Sequence, residues 1–160
     1  MNILKTQSEE SIFQNDTRKR YLFVCTGNTC RSPMAEAVFN RLYKNEDKIA
    51  FSAGMSPGGQ PLSENARLAL ESIGIFDFEH VSAMVTFEDM AKAECVIGMT
   101  YSHAQRLMMC FPEFASKIVA LPMDIEDPYG GDVDVYKLCL GQICEALEFA
   151  FSGNYENEDN

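Results

Sequence analysis

Residues 25–32, Cys-Thr-Gly-Asn-Thr-Cys-Arg-Ser, constrain this chain more than any other stretch of its sequence. They follow an apolar run at residues 21–24 and precede a stretch with helical apolar spacing, which predicts a strand, a tight loop and a helix. Such a loop turns backbone N–H groups inward at a helix N-terminus and forms a cradle for a tetrahedral dianion. Cys25 begins the loop and Arg31 can clamp two phosphoryl oxygens. The pattern predicts phosphoryl transfer through a phosphocysteine.

Three details favour this interpretation over a structural turn whose cysteines are buried only as small hydrophobes. Gly27 and Asn28 tolerate the left-handed backbone that an inward-facing loop requires. Ser32 followed by Pro33 is typical of a helix N-cap and a first-turn proline. The strand before the loop and the helix after it are the context that a phosphate-binding loop needs.

Strands and helices alternate along the chain, which is typical of a parallel α/β sheet. The predicted strands are residues 21–24, 49–52, 95–98 and 117–121. We therefore expect a three-layer α/β fold with a central four-stranded parallel sheet and the phosphate-binding loop at the carboxyl end of strand 1.

Capping signals predict where the later helices begin. They are Ser63, Thr86 with Asp89, and Ser102 with Gln105. His103 follows the last of these caps and is predicted to be solvated.

Phosphoryl transfer is faster when the departing group is protonated, so a general acid should face Cys25, and Asp127 is the candidate. Pro128 biases Asp127 to an extended conformation, so that its carboxylate projects from a glycine-rich turn. From composition alone, a surface turn is the favoured interpretation of this segment. The neighbouring carboxylates of Asp124, Glu126 and Asp132 are predicted to be solvated.

The run at residues 23–36 resembles the active-site signature of the low-molecular-weight protein tyrosine phosphatases, and is closer still to that of their bacterial protein arginine phosphatases. The similarity extends over residues 20–149. It implies that Cys25 is the nucleophile, that Arg31 binds phosphate and that Asp127, in an Asp-Pro-Tyr-x-Gly segment, is the acid. The implied phosphate-binding loop comprises Thr26, Gly27, Asn28, Thr29, Cys30 and Ser32.

The resemblance also implies roles around the loop. Cys30 would be a second thiol that traps an oxidised nucleophile as a disulfide, and Tyr129 would form a wall of the substrate cleft. Ser52 and His80 would help to hold Asn28 in its strained conformation. For His80, a surface histidine in an acidic segment remains an equal alternative.

Thr29 bears on the substrate. Tyrosine-selective relatives usually carry a larger aliphatic residue there, whereas threonine is associated with the arginine phosphatases. Residues 55–59 also lack an aromatic side chain that would stack on a phosphotyrosine ring. Both observations favour phosphoarginine, with phosphotyrosine as the alternative within the family.

Two alternatives come from other functional classes. An arsenate reductase of the thioredoxin-coupled type would need two further cysteines on a mobile segment, and residues 76–93 contain none. A phosphocysteine carrier protein would not need the acid loop at Asp127.

Composition sets the remaining expectations. We expect a polar N-terminal extension (1–19), one phosphatase domain (20–151) and an acidic tail (152–160). Six cysteines without a secretory signal favour a cytoplasmic protein. A net charge of −11 disfavours nucleic acid, and no apolar run suits a membrane. No cysteine pair has zinc-ligand spacing with histidines. The expected partners are a phosphorylated protein and a bound phosphate or other oxyanion, with no cofactor.

Overall fold

The computed structural model of the protein describes residues 16–152. Most of the expected N-terminal extension (1–19) and C-terminal tail (152–160) therefore lies outside the described residues. The elements are, in chain order, β1 (Lys19–Cys25), α1 (Arg31–Leu42), β2 (Lys48–Gly54), α2 (Glu64–Ser72), α3 (Phe87–Lys92), β3 (Cys95–Gly98), α4 (Tyr101–Cys110), a 3₁₀ helix (Pro112–Lys117), β4 (Ile118–Ala120) and α5 (Val133–Phe151).

The four strands form one parallel sheet in the order β2-β1-β3-β4. The chain adds β2 on one side of β1 and β3 on the other, so the direction of winding reverses at β1. In open α/β sheets this reversal creates a crevice beyond the carboxyl ends of the strands. The loop after β1 lies at that point, and the expected four-stranded parallel fold is confirmed.

Helices cover both faces of the sheet and produce three layers. Successive side chains of β1 point to opposite faces, so Phe23 joins one apolar core and Val24 the other. The first core contains residues of α1, α2 and α5, such as Phe39, Leu70 and Leu147. The second contains residues of α3 and α4. No helix within residues 16–152 has the length and apolarity that crossing a membrane requires.

Two of the predicted helix starts are confirmed. The Ser63 hydroxyl accepts the N–H of Ala66 at the start of α2. Thr86 and Asp89 form a reciprocal capping box at the start of α3, where each side chain accepts the backbone N–H of the other residue. Local sequence was sufficient here because both partners of each contact lie within one helical turn.

The predicted capping box of Ser102 and Gln105 is wrong, because α4 begins earlier and Thr100 is its N-cap. The Thr100 hydroxyl accepts the N–H of His103 at 3.2 Å. The N–H of Tyr101 is accepted by the Asp124 carboxylate at 2.8 Å. Asp124, which follows β4 in the chain, thus satisfies an N–H group that has no partner within the helix. Spacing within the helix sequence cannot show such a contact.

Candidate active site

Cys25 is the last residue of β1, and its thiol is buried at the base of the following loop. The backbone N–H of Asn28 donates to Sγ at 3.3 Å, and the Ser32 hydroxyl lies 2.9 Å from Sγ. If the sulfur is a thiolate, both groups donate to it. The loop therefore supports the nucleophilic form of this cysteine.

The prediction that Ser32 caps α1 is wrong. Cys30 occupies the N-cap position without a side-chain capping bond, and Ser32 is the second residue of the helix. The Ser32 hydroxyl accepts from Asn28 Nδ2 at 2.8 Å, so its own proton is available to Cys25 Sγ. The Ser32 hydroxyl therefore contacts the Cys25 sulfur and does not cap the helix.

Asn28 has a left-handed backbone, with a φ of 56°, and is fully buried. Its side-chain oxygen accepts the backbone N–H of Ala83 at 3.1 Å. Its own carbonyl accepts a hydrogen bond from His80 Nε2 at 2.7 Å. Burial lowers the pKa of His80, and the hydrogen bond to the Asn28 carbonyl partly opposes this effect. The structure thus brings His80 to the loop and surrounds the strained residue with polar partners.

Ser52 does not join this network. Its hydroxyl is buried but forms no hydrogen bond to Asn28 or Ser32. In the parallel register Ser52 lies opposite Phe23, two positions before the level of Cys25. The backbone carbonyl of Ala53 instead contacts the Ser32 hydroxyl at 3.5 Å. The expectation for Ser52 is therefore wrong, because the main chain of β2 supplies the contact.

Arg31 joins the loop to the segment that carries Asp127. Its side chain is almost buried, and one guanidinium nitrogen donates to the backbone carbonyl of Ile125 at 3.1 Å. A second nitrogen lies 3.6 Å from Asp127 Oδ2. The guanidinium thus stands between the loop and the predicted acid, where it can bind an anion.

Asp127 lies at the mouth of the site, with 57% of its side chain exposed. The backbone N–H of Tyr129 donates to its Oδ1 at 3.1 Å, which fixes the turn around Pro128. Beneath this segment, the buried Cys139 thiol donates to the Glu126 carbonyl at 3.6 Å. An exposed carboxylate on an anchored turn can exchange protons with solvent and with a substrate.

Cys25, Arg31 and Asp127 line one cavity of about 330 Å³. It is lined by Cys25, Thr26, Gly27, Asn28, Thr29, Cys30, Arg31, Ser56, Gly58, Gln60, Asp127 and Tyr129. Tyr129 is the one aromatic residue in this lining, and it is highly exposed. Across residues 16–152, no group of three or more His, Cys, Asp or Glu side chains is placed to hold a metal ion.

The second loop thiol, Cys30, is buried beside three hydroxyl groups. Its Sγ lies 3.4 Å from the Tyr136 hydroxyl, 3.5 Å from Ser63 Oγ and 3.6 Å from Thr29 Oγ1. Burial and the neighbouring Cys30 raise the pKa of Tyr136 to about 12. Tyr136 therefore remains a neutral hydrogen-bonding neighbour of this thiol.

His103 is the residue that sequence reasoning missed. It was expected to be solvated, but it is buried, and its ring contacts both the loop residue Thr26 and the helix cap Thr100. The spacing Thr100-x-x-His103 at a helix start is the one local signal that could have indicated an ordered side chain.

Comparison with known proteins gives consistent matches. The family model described as low molecular weight phosphotyrosine protein phosphatase matches residues 20–153. The protein-arginine-phosphatase of Bacillus subtilis is 36% identical over 137 residues, which are 79% of this chain and 90% of that protein. The low molecular weight protein-tyrosine-phosphatase PtpB of Staphylococcus epidermidis is 30% identical over 135 residues, 81% of this chain and 94% of its own.

A solved structure adds a chemical detail. The YwlE arginine phosphatase, as a mutant with a phosphorylated active-site serine, superimposes with a TM-score of 0.78 at 32% identity. The alignment covers 88% of this chain and 98% of that one.

Proposed function

The chain belongs to the low molecular weight phosphotyrosine protein phosphatase family, and we propose that its site hydrolyses phosphorylated protein side chains with a preference for phosphoarginine. The observation that carries the chemistry is the placement of Cys25 in one cavity with Arg31 and Asp127. The hydrogen bonds to Sγ and the 3.6 Å separation of the Arg31 and Asp127 side chains add to it.

In the first step, Cys25 Sγ attacks phosphorus and an S–P bond forms while the bond from phosphorus to the side chain breaks. Arg31 and the loop N–H groups neutralise charge on the phosphoryl oxygens. Asp127 gives its proton to the departing oxygen or nitrogen. The phosphorylated active-site serine in the YwlE mutant supports an enzyme-bound phosphoryl group in a relative.

In the second step, Asp127, now ionised, takes a proton from a water molecule that attacks phosphorus. The S–P bond breaks and the electron pair returns to Cys25. The Ser32 hydroxyl, 2.9 Å from Sγ, donates to the departing thiolate. Inorganic phosphate then leaves a regenerated enzyme.

The preference for phosphoarginine rests on the cavity lining. The lining includes the hydroxyl-bearing residues Thr26, Thr29 and Ser56 and the amide-bearing Gln60, with Tyr129 as the aromatic member. A guanidinium leaving group carries several N–H donors, and hydroxyl, amide and carboxylate oxygens can accept them. An aryl ester is served better by apolar walls. The similarity to a protein-arginine-phosphatase agrees with this assignment.

The test compares matched peptides that carry phosphoarginine or phosphotyrosine, with wild type, Thr29→Ile and Thr29→Ser. Thr29→Ile removes the hydroxyl and adds hydrocarbon, and we expect it to lower the ratio of kcat/KM for phosphoarginine over phosphotyrosine by about ten- to several-hundred-fold. Thr29→Ser keeps the hydroxyl and should stay near the wild-type ratio. If the wild type prefers phosphotyrosine, the preference for phosphoarginine is wrong and phosphotyrosine is the substrate.

The remaining assignments are also proposals. Residues 20–151 would form the phosphatase domain, flanked by the polar extension and the acidic tail. The partners would be a phosphorylated protein and an active-site oxyanion, and a cytoplasmic location would keep the catalytic thiol reduced. Comparing activity of the full chain with that of residues 20–151 tests the boundaries.

A further inference from the structure

His103 lies in the first turn of α4 and is only 5% exposed. Both of its ring nitrogens have partners. Nδ1 is 2.9 Å from Thr100 Oγ1, and Nε2 is 2.9 Å from Thr26 Oγ1. Thr100 caps α4, whereas Thr26 is the loop residue directly after Cys25. The imidazole therefore connects the helix to the phosphate-binding loop.

The ring is neutral near pH 7. Burial, reinforced by the guanidinium groups of Arg31 and Arg106, lowers the pKa of His103 to about 4. The carboxylates of Asp127 and Asp124 oppose this shift only in part. A neutral imidazole has one N–H donor and one acceptor nitrogen, so its two contacts must differ in direction.

The hydrogen bonds of Thr100 favour one of the two directions. Its Oγ1 already accepts the backbone N–H of His103 at 3.2 Å, so its own proton needs an acceptor, which Nδ1 supplies. In that tautomer the ring proton is on Nε2, which donates to Thr26 Oγ1 at 2.9 Å. The Thr26 hydroxyl proton is left free for the catalytic cavity, which Thr26 lines.

His103 lies where the start of α4 packs closely against the end of β3. A Cβ at Gly98 would lie 2.7 Å from a backbone nitrogen of α4 and 2.9 Å from the Thr100 carbonyl, so the helix can approach β3 this closely only with glycine there. The segment before Asp127 is hydrogen-bonded to the chain between Gly98 and Thr100. Ile125 donates its N–H to the Met99 carbonyl at 3.1 Å.

We propose that His103 is a positioning residue, which holds the Thr26 side chain so that its hydroxyl proton points into the cavity and donates to the bound phosphorylated group. The inference rests on the proposed function, because it requires a phosphorylated side chain in that cavity. His103 itself does not touch the substrate and acts through Thr26.

Two substitutions separate this role from helix capping. Glutamine places an amide near the Nε2 position and can still reach Thr26, whereas asparagine places one near Nδ1 and can reach only Thr100. We expect His103→Asn to lower kcat/KM for p-nitrophenyl phosphate about ten-fold and to weaken binding of inorganic phosphate. His103→Gln should restore most of both. A purely capping role predicts the opposite order.

A double-substitution cycle completes the test. Thr26→Val should reproduce the loss seen in His103→Asn, and adding His103→Asn to Thr26→Val should cost less than about two-fold more. Wild-type kinetics in Thr26→Val, or losses that multiply in the double variant, would overturn the proposal. If wild type hydrolysed neither phosphoarginine nor phosphotyrosine, the proposed function would fail. The affinities of the same variants for inorganic phosphate would still test whether His103 positions Thr26.

Discussion

Replacing Asn28 separates the strain of the phosphate-binding loop from the hydrogen bonds that hold it. Asn28→Gly removes the 2.8 Å bond to Ser32 and the 3.1 Å bond from Ala83 but accepts the φ of 56° without strain. At about 1 kcal/mol for each hydrogen bond, the free energy of unfolding should fall by about 2 kcal/mol. Asn28→Ala loses the same bonds and adds a left-handed alanine, so its loss should be about 1 kcal/mol larger.

Urea unfolding followed by circular dichroism measures these differences, provided that the m-values stay constant. Asp77 offers a matched control, since it is the other non-glycine residue with a positive φ in the described part of the chain, at 60°, and it is exposed. Asp77→Ala should likewise be about 1 kcal/mol less stable than Asp77→Gly. Equal stability of Asn28→Ala and Asn28→Gly would contradict the strain at this position, and values for both within about 0.5 kcal/mol of wild type would contradict the contribution of its hydrogen bonds.

Asp127→Ala should slow hydrolysis of a poor leaving group by about 10²–10⁴; an unchanged rate would assign the acid to another carboxylate. Mild peroxide should inactivate the enzyme reversibly through a Cys25–Cys30 disulfide, shown by peptide mapping, whereas Cys30→Ser should be inactivated irreversibly; finding Cys30 still free in oxidised wild type would contradict this. Burial raises the pKa of Glu36 from 4.5 to about 7. The folded protein therefore binds the Glu36 proton more tightly than the unfolded chain does. This contribution to the free energy of unfolding is fully present below pH 4.5 and should be lost as the pH rises through 7. The loss is at most about 3 kcal/mol. Glu36→Gln should flatten this pH dependence of unfolding, and an identical pH profile would show that the carboxyl is not buried in this way.

The fold followed from local patterns. Residues 21–24 and 95–98 are apolar runs with the length of buried strands, and the intervening segments have helical spacing, so a parallel α/β sheet was the consistent arrangement. Thr86 with Asp89 marked the start of α3 because that capping box lies within one turn. The same reasoning misplaced the start of α4, where Asp124 from a distant segment completes the helix terminus.

In the candidate site, the local sequence was sufficient to predict the phosphate-binding loop. Eight consecutive residues contain Cys25, Asn28, Arg31 and Ser32, and the geometry of a strand, a turn and a helix places them around one anion site. The resemblance implied that Asp127 is the acid, but the pairing of Asp127 with Arg31 was not predicted from the sequence. Its 3.6 Å distance depends on how the acid loop returns to the sheet.

Which polar side chains support the loop depends on how elements far apart in sequence pack together. Ser52 and His80 were equivalent expectations, yet only His80 reaches Asn28, across 52 positions of sequence. His103 reaches Thr26 across 77 positions, against the expectation of a solvated residue. The physical reason is that side-chain hydrogen bonds need an atom placed within about 3 Å and aligned. Sequence periodicity specifies the face of a helix or strand, whereas the packing of one element on another sets the distance between them.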